Sequence, residues 1–453
     1  MRPPRSRREP VPKSPREVAL EALYAVDRRH AFSDRLLHKL LKDNVMEPRD
    51  AALVTSIVRG TTRMRGRIDA ILDHYVKIGL DSLPPWIQNI LRMGVFQLLY
   101  LDKVPDRAAV DESVSLARKF GHPGTAGLVN AVLRKISAER DHLPEPKIGD
   151  DPAAALASLY SHPEWMVRRW LRRFDLDDTR ALLEANNTPP PVTIRVNRLR
   201  EKPGAFLQRL LEAGLDAEPG IYHDGSIRIR GDFNPAVQPG FNEGLFVVQD
   251  ESESLVVDLL APEPGEFVVD LCGAPGGKSS HIAEKLGARG LVVSVEIQRG
   301  RLKPLKENKT RLGLANMHIV LGDGATVAFT RVPDRVLIDA PCSGLGVLAK
   351  RADARWRKTE ASIRQVVEFQ DRLVRAAAEL VRPGGIVVYS VCSIEPEEGP
   401  KVIERLLKEH PNLELQDAAE HVSPVLVHDR MMVTLPHRDG MDGVFAARFR
   451  RKS

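Results

Sequence analysis

Residues 267–278 read FVVDLCGAPGGK, a short apolar run followed at once by a loop with three glycines and a proline. A continuous apolar run of this length is typical of a strand that is covered on both faces of a sheet. Glycines after such a strand let backbone amides approach a ligand at the start of the next helix. The stretch therefore predicts the first strand of a parallel α/β sheet, with a ligand-binding loop at its carboxyl end.

The same alternation continues toward the C-terminus. Apolar runs of strand length occur at 267–271, 291–295, 318–321, 336–339 and 385–389, and helical patterns occur at 279–286, 302–312 and 363–380. A series of this kind predicts a doubly wound parallel sheet with helices on both faces. Ligands of such sheets bind at the carboxyl ends of the strands, so the loops after these runs are candidate sites.

Before this sheet the chain changes character twice. Residues 14–137 carry only helical patterns, which predicts a compact all-α domain, and residues 138–157 are polar and hold three prolines, as linkers do. Residues 158–260 mix helical patterns with strand-like runs, which predicts a small α+β segment. We therefore expect a multidomain protein that starts with a basic tail at 1–13 and ends with an α/β doubly wound (Rossmann-like) domain at 261–453.

Composition and charge restrict the class of protein. The chain of 453 residues is 43% hydrophobic and 28% charged, as soluble globular proteins are. It has no apolar run of membrane-helix length and no signal-peptide pattern, so we expect a cytoplasmic protein without a membrane partner. The net charge is +6, and residues 1–16 hold six basic residues against one acidic residue. Such a tail is commonly solvated and disordered, and a phosphate-binding arm is the alternative.

The three cysteines, Cys272, Cys342 and Cys392, each follow a predicted strand of the sheet. Their odd number and wide spacing argue against a disulfide framework. No Cys-x-x-Cys pair or matching histidine spacing indicates zinc, so no metal is expected. The cysteines are therefore candidates for chemistry at the carboxyl edge of the sheet.

Two acidic residues at strand ends indicate a nucleoside site. Glu296 ends the second strand, where it could accept hydrogen bonds from ribose hydroxyls, and Asp323 follows the third, where it could accept from an adenine amino group. The 272–278 loop fits neither the phosphate-binding loop nor the dinucleotide fingerprint. A nucleoside site without a phosphate cradle favours S-adenosylmethionine as the cofactor.

The segments 339–344 (DAPCSG) and 389–393 (YSVCS) place two cysteines beside this site, and Glu395, Glu397 and Glu398 follow the second segment. Methyltransferases that act on exocyclic amines usually carry Asn/Asp-Pro-Pro-aromatic at the first position. A cysteine indicates another target, because carbon 5 of cytosine becomes nucleophilic only after a thiolate adds to carbon 6. A free cysteine is otherwise a small buried hydrophobe, but two beside one ligand loop indicate a catalytic site. Spacing alone leaves open which cysteine attacks.

Together these segments resemble the NOL1/NOP2/Sun family of RNA cytosine-5 methyltransferases. The family motifs Asp-x-Cys-Ala-Ala-Pro-Gly-Gly-Lys, Asp-Ala-Pro-Cys-Ser-Gly and Tyr-Ser-Thr-Cys-Ser match 270–278, 339–344 and 389–393, with further likeness at 191–197, 249–251 and 436–443. Residues 14–137 resemble the NusB-type RNA-binding domain of the bacterial RsmB branch. The resemblance implies methylation of small-subunit (16S) ribosomal RNA, with RNA contacts from the all-α domain and from 158–260.

The resemblance also implies roles for single residues. It makes Cys392 the nucleophile, and it makes Cys342 the residue that helps release the enzyme from the product, with Asp339 and Lys278 beside them. The residues implied to contact the cofactor are Cys272, Gly273, Ala274, Pro275, Gly276, Gly277, Lys278, Glu296, Asp323 and Asp339. The chain departs from the family pattern with Gly273 for alanine, Val391 for threonine, Glu296 for the commoner aspartate, and a missing proline in 350–356.

Several alternatives stay open at this point. The same chemistry would serve a tRNA or a large-subunit rRNA methyltransferase, and the fold could persist in a non-catalytic RNA-binding scaffold. A DNA cytosine methyltransferase would use a cysteine after proline, as Cys342 is. The sequence does not determine the oligomeric state, and a monomer is compatible with it.

Overall fold

The structure is a computed structural model, and it describes residues 13–29, 33–44, 46–149, 151–231 and 233–453. Apart from Lys13, the predicted basic tail lies outside the described residues. By its internal contacts the chain divides into two units. The first holds the described residues up to Asn187 together with Arg351–Arg357, and the second holds Thr188–Lys350 and Lys358–Ser453.

The helices and strands are numbered in chain order. The helices are α1 (Pro15–Arg29), α2 (Ser33–Asp43), α3 (Pro48–Arg63), α4 (Arg65–Tyr75), α5 (Pro85–Tyr100), α6 (Asp106–Phe120), α7 (Pro123–Ala138), α8 (Pro152–Leu159), α9 (Glu164–Leu171), α10 (Leu176–Asn187), α11 (Pro203–Glu212), α12 (Glu251–Leu260), α13 (Gly277–Leu286), α14 (Leu302–Leu312), α15 (Ala354–Arg357), α16 (Glu360–Leu380), α17 (Pro400–Glu409) and α18 (Pro436–Asp439). The strands are β1 (Val192–Val196), β2 (Ala217–Pro219), β3 (Ser226–Ile229), β4 (Phe246–Val248), β5 (Phe267–Asp270), β6 (Leu291–Glu296), β7 (Met317–Leu321), β8 (Arg335–Asp339), β9 (Ile386–Val391), β10 (Leu413–Leu415), β11 (Val427–His428), β12 (Met431–Val433) and β13 (Phe445–Arg451). Many helices begin at a proline, whose missing N–H would have had no helical partner in that position.

The first unit contains helices and no strand among its described residues, as predicted for its N-terminal part. Helix α5 is buried on nearly every side, which is expected of a helix that is apolar all round. Two of its polar residues make internal hydrogen bonds. Gln97 donates to the carbonyl of Met93 at 3.0 Å, and Arg92 donates to the Asp69 carboxylate at 2.7 Å. These bonds remove the cost of burying polar groups in the core.

The domain boundaries proposed from the sequence remain predictions, and the structure adds two observations on them. Helix α8 begins inside the range 138–157, and α9 and α10 belong to the first unit rather than to the sheet that follows. The segment Arg351–Arg357 also belongs to the first unit. There Trp356 donates to the carbonyl of Thr62 at 2.7 Å, and Arg355, which is fully buried, donates to the carbonyl of Ser161 at 2.9 Å.

The second unit begins with a small antiparallel sheet in the order β2-β3-β1-β4. All four strands lie within residues 158–260, where the sequence predicts strand-like runs. Helix α11 packs Phe206 against Phe246 of β4, with ring centroids 5.5 Å apart. The predicted small α+β region is thus present.

The larger sheet has the order β11-β12-β13-β9-β8-β5-β6-β7, with β10 paired to β13. The five strands β7, β6, β5, β8 and β9 are parallel, as predicted. The expectation of a parallel sheet is incomplete, because β13 pairs antiparallel with β9 and with β10 and β12. Strands β10, β11 and β12 have only two or three residues each, too few for a readable apolar period.

The order of the parallel strands fixes where a ligand can bind. From β5 the chain builds β6 and β7 on one side and then returns to place β8 and β9 on the other. The loops after β5 and β8 therefore diverge and leave a crevice at the carboxyl ends of the strands. No helix among the described residues is long and apolar enough to cross a membrane.

Candidate active site

The loop after β5 is shaped by two glycines. The amide of Gly273 donates to the carbonyl of Val295 at 2.9 Å, and a Cβ on Gly273 would lie 1.7 Å from the hydroxyl of Ser294. Gly276 has φ of 109°, a region that side chains avoid, and a Cβ there would lie 2.7 Å from Leu305. Ser294 thus fills the space that the alanine of the family pattern would take at position 273.

Asp270, the last residue of β5, anchors this loop through hydrogen bonds. Its carboxylate accepts from the Ser279 hydroxyl at 2.5 Å and from the amide of Cys272 at 3.3 Å. Burial raises the pKa of Asp270 to about 6, although the Ser279 hydrogen bond opposes the shift. Burial, reinforced by the Asp270 charge, also raises the pKa of the Cys272 thiol well above its ordinary value. Cys272 is therefore a neutral thiol that packs against the apolar core.

Lys278 and Asp339 meet between β5 and β8. The Lys278 ammonium donates to Asp339 Oδ2 at 2.9 Å and lies 3.8 Å from Glu253, while the Ser390 hydroxyl donates to Asp339 Oδ1 at 3.0 Å. Burial opposes the charge on Lys278, but the carboxylates of Asp339 and Glu253 outweigh it and raise its pKa. Lys278 is therefore a fixed cation, and its charge also interacts with Cys392.

The two cysteines expected at the site are brought together. Cys342 Sγ and Cys392 Sγ lie 3.0 Å apart, and both thiols are free. The hydrogen bond with Cys392 and burial raise the pKa of Cys342 well above its ordinary value. The raised pKa keeps the Cys342 thiol protonated, and either sulfur atom can be the donor in the contact between them.

A buried carboxylate joins the two cysteine loops. Glu398 is fully buried and accepts from the amide of Ser343 at 2.7 Å and from the hydroxyl of Ser393 at 2.7 Å. These serines directly follow Cys342 and Cys392. The glutamate was visible in the sequence but had no predicted role, since nothing in its spacing shows that two loops converge on it.

The acids expected to contact a nucleoside stand at the ends of their strands. Glu296 is 3% exposed, accepts from the amide of Gln298 at 2.7 Å and lies 3.4 Å from the guanidinium of Arg301. Arg301 also donates to the carbonyl of Ala274 at 2.6 Å, so it ties Glu296 to the loop after β5. Asp323 is half-buried and accepts from the amide of Ala325 at 2.9 Å.

A second charged cluster lies among segments that were noted only for their likeness to the family. The Lys350 ammonium donates to Asp442 at 2.8 Å and to Asp250, and the amide of Asp442 donates to Asp250 at 3.2 Å. Burial, and then the Asp250 charge, raise the pKa of Asp442 to about 7. The Lys350 charge outweighs burial at Asp250 and lowers its pKa. Lys350 and Asp442 follow Asp250 by 100 and 192 positions in the chain, so sequence patterns did not reveal the cluster.

One further group combines potential metal-ligand types. Ligand atoms of His223, Asp258 and His281 lie within 4.8 Å of one another. Lys285 already pairs with Asp258 at 2.6 Å, and His223 Nδ1 hydrogen-bonds to Ser226 at 2.8 Å. This grouping was not predicted from the sequence, because the three residues come from separate elements.

Comparison with known proteins identifies the family. Residues 257–450 match the family model for the 16S rRNA methyltransferase RsmB/F, residues 13–138 match the NusB family, and residues 162–234 match the RsmF/B-like ferredoxin-like domain. The chain is 34% identical to the "Probable ribosomal RNA small subunit methyltransferase B" of Bacillus subtilis (strain 168), over 97% of this chain and 99% of that relative. The chain belongs to the RsmB/F family of 16S rRNA methyltransferases.

Other relatives agree with this assignment to the RsmB/F family. The ribosomal RNA small subunit methyltransferase B of Yersinia pseudotuberculosis (serotype O:1b, strain IP 31758) is 31% identical over 96% of this chain and 98% of its own. The crystal structure of PH0851 is 27% identical and superposes with a TM-score of 0.79, covering 97% of this chain and 100% of that one. The predicted resemblance is confirmed, including the NusB-like N-terminal region.

Proposed function

We propose that this RsmB/F-family protein methylates carbon 5 of a cytosine in 16S rRNA, with S-adenosylmethionine as methyl donor and Cys392 as covalent nucleophile. The observation that carries the proposal is the 3.0 Å approach of Cys342 Sγ and Cys392 Sγ beside the Lys278–Asp339 pair. A methyltransferase for an exocyclic amine needs no thiol, whereas cytosine carbon 5 needs a nucleophile at carbon 6.

The residues around the crevice fit S-adenosylmethionine. The glycine loop after β5 offers backbone groups that no Cβ covers, and a buried carboxylate, Glu296, ends the next strand. We infer that residues 272–278 and Asp339 hold the amino acid part of the cofactor. We also infer that Glu296 accepts from its ribose and Asp323 from its adenine. When bound, the cofactor supplies an electrophilic methyl group.

The chain's own residues account for the remaining chemistry. Cys392 attacks as the thiolate, so its sulfur forms a bond to carbon 6 and an electron pair moves to carbon 5. Carbon 5 then takes the methyl group and carries both methyl and hydrogen. The bond from carbon 6 to sulfur then breaks, and its electron pair returns to Cys392, which takes the proton of the Cys342 thiol 3.0 Å away. The carbon 5 proton passes to Cys342, and the electron pair it leaves behind restores the ring double bond. Cys342 acts at this second stage. Asp339 is held by Lys278 and Ser390, and it orients the base.

The decisive experiment is bisulfite mapping of total RNA from cells with and without the gene. We expect one protected cytosine in 16S rRNA to disappear with the gene and to return when purified protein and S-adenosylmethionine are added. Loss of a tRNA or 23S rRNA site would instead establish one of the alternatives. An unchanged map, with no methyl transfer by the purified protein, would favour a non-catalytic RNA-binding scaffold.

A further inference from the structure

Glu398 occupies an unusual position for a carboxylate. Its side chain is fully buried, and the hydrogen-bond donors around it belong to the loops that carry the two cysteines and to helix α16. One oxygen, Oε2, accepts from the amide of Ser343 at 2.7 Å and from the Gln370 amide group at 3.1 Å. The other, Oε1, accepts from the Ser393 hydroxyl at 2.7 Å and from the Ser343 hydroxyl. These bonds offset the cost of burying the charge.

The carboxylate is itself held in place. The backbone carbonyl of Glu398 accepts from the hydroxyl of Tyr389, a fully buried residue of β9, at 2.7 Å. Gln370 also donates to the carbonyl of Pro341 at 2.9 Å, so it supports the Cys342 loop from a second direction. Glu398 is therefore a rigid link between the sheet and both cysteine loops.

The link matters because the cysteine pair depends on distance. Ser343 and Ser393 are the next residues after Cys342 and Cys392, and their hydroxyls lie 3.1 Å apart. A shift of either loop changes the approach of the two sulfur atoms. Misplacement of reacting groups by about 1 Å can cost a factor of about 10² in rate.

We propose that Glu398 is a positioning residue, which sets the spacing of Cys342 and Cys392 through the hydrogen bonds it accepts from both loops. The inference rests on the proposed function. Glu398 has no contact with RNA or cofactor in this role, so its effect must appear in the rate of catalysis and not in binding.

The test is Glu398→Gln, which keeps the size of the side chain. A glutamine has one acceptor oxygen, and its NH₂ group would face the donors on one side of the present carboxylate. We expect kcat for methylation to fall by about 10²-fold. The KM for RNA and the Kd for S-adenosylmethionine should stay within about twofold. The matched control is Glu397→Gln, one residue earlier, whose carboxylate lies 3.7 Å from Lys401.

A second measurement isolates the attack itself. In a Cys342→Ala background the RNA adduct of Cys392 should accumulate, and adding Glu398→Gln should slow its appearance, because Glu398 also holds the loop that carries Cys392. If Glu398→Gln does not fold, Ser343→Ala and Ser393→Ala each remove one donor from the link, and each should lower kcat with less than additive effect when combined.

The outcomes separate the two proposals. If the wild-type protein is inactive and forms no adduct, the proposed function itself is wrong. If the wild-type protein is active and Glu398→Gln keeps kcat within twofold, only the proposed role of Glu398 is overturned. The same holds if both serine variants, used in its place, keep kcat within twofold. A Glu398→Gln variant that loses cofactor binding as much as rate would also overturn it.

Discussion

At the scale of single residues, the two cysteine sulfur atoms lie close together but differ in their surroundings. Cys342 is the thiol whose pKa is raised by its partner and by burial, and Lys278 places a cation beside Cys392. The thiolate is the attacking species of a cysteine, so the raised pKa makes Cys342 the poorer candidate and supports the proposed role of Cys392. Spacing in the sequence could not make that choice.

The two cysteine variants should therefore fail in different ways. Cys392→Ala should form neither adduct nor product. Cys342→Ala should attack and accept the methyl group, then remain as an RNA–protein adduct in denaturing electrophoresis. The target base must leave its stack first, so the adduct should require the native RNA site. An adduct with Cys392→Ala and none with Cys342→Ala would reverse the assignment.

Glu296 should control cofactor affinity. Glu296→Ala removes a buried acceptor of a charge-assisted hydrogen bond worth about 1.5–3 kcal/mol, so S-adenosylmethionine affinity should fall about tenfold or more. Calorimetry measures this directly, with the exposed Glu307→Ala of α14 as control. Unchanged cofactor binding would remove Glu296 from the site, while RNA affinity without cofactor should hardly move.

Asp270 should leave a signature in the pH dependence of stability. Its pKa is about 6 in the folded protein, because of burial, against roughly 4 in an unfolded chain. Its contribution to stability is therefore complete below about pH 4 and is lost as pH rises through about 6. From pH 4 to pH 7 the stability of Asp270→Asn relative to wild type should improve by up to roughly 3 kcal/mol. Thermal melting across this range, with the exposed Asp102→Asn as control, checks the sign; a constant difference contradicts it.

At the scale of elements, the loop after β5 and strand β6 were predicted separately, but they form one packed unit. The hydroxyl of Ser294 lies where a Cβ on Gly273 would be and hydrogen-bonds to Ser279 at 2.9 Å. Glycine stands at position 273 instead of the family alanine, and the Ser294 side chain of β6 fills the space that the alanine would need. Sequence patterns could not show it, because only the fold brings residues 273 and 294 together.

A double substitution tests this pairing. Gly273→Ala alone should lower the free energy of unfolding by about 1–3 kcal/mol through overpacking against Ser294. Ser294→Ala alone should cost about 1 kcal/mol for the lost hydrogen bond. Together they should cost less than the sum of the two, because the second change removes the atom that the first one strikes. Additive losses of stability in thermal melting would show that the two positions are not coupled.

The parallel strands were predictable because buried strands read as continuous apolar runs, and the motif loops followed from their carboxyl ends. Strands β10 to β12 were not predictable, since they are too short to carry a period. The Asp250–Lys350–Asp442 cluster and Glu398 also escaped, because hydrogen bonds across long sequence separations leave no local pattern. The candidate nucleophile and nucleoside acids could be named in advance, whereas the groups that position them could not.

At the scale of the whole molecule, the two units share one chain in an interrupted order. The first unit extends to Asn187 and takes in Arg351–Arg357, so it holds more of the chain than the predicted helical domain of residues 14–137. A fragment meant to isolate the sheet unit must therefore begin near Thr188. It will also carry Arg355 and Trp356, which are buried or hydrogen-bonded in the first unit.

We expect the helical unit to supply RNA affinity and the sheet unit to bind cofactor alone. The test uses a fragment of residues 188–453 with Arg355→Ser and Trp356→Ser, because these substitutions make the segment 351–357 more polar where it has lost the first unit. This fragment should bind S-adenosylmethionine with an affinity within about twofold of the full chain. Its RNA affinity should be weaker and less dependent on salt, because fewer phosphates are contacted. The full chain with the same two substitutions is the control. Methylation of the RNA target by the fragment with undiminished efficiency would show that this division of labour is wrong.

The placement of Arg351–Arg357 also determines when, during synthesis, the first unit can finish folding. Domains fold as their residues leave the ribosome, at roughly 5–20 residues per second. The helices up to Asn187 emerge first, yet Asp353, Trp356 and Arg357, which line a cavity of about 170 Å³ with Arg92 and Asn89, lie well over a hundred residues further on. At that pace the nascent helical unit waits on the order of 10–30 s for its last piece. Until then the cavity lacks Asp353, Trp356 and Arg357, so the unit reaches its final form only when most of the sheet unit has also been made.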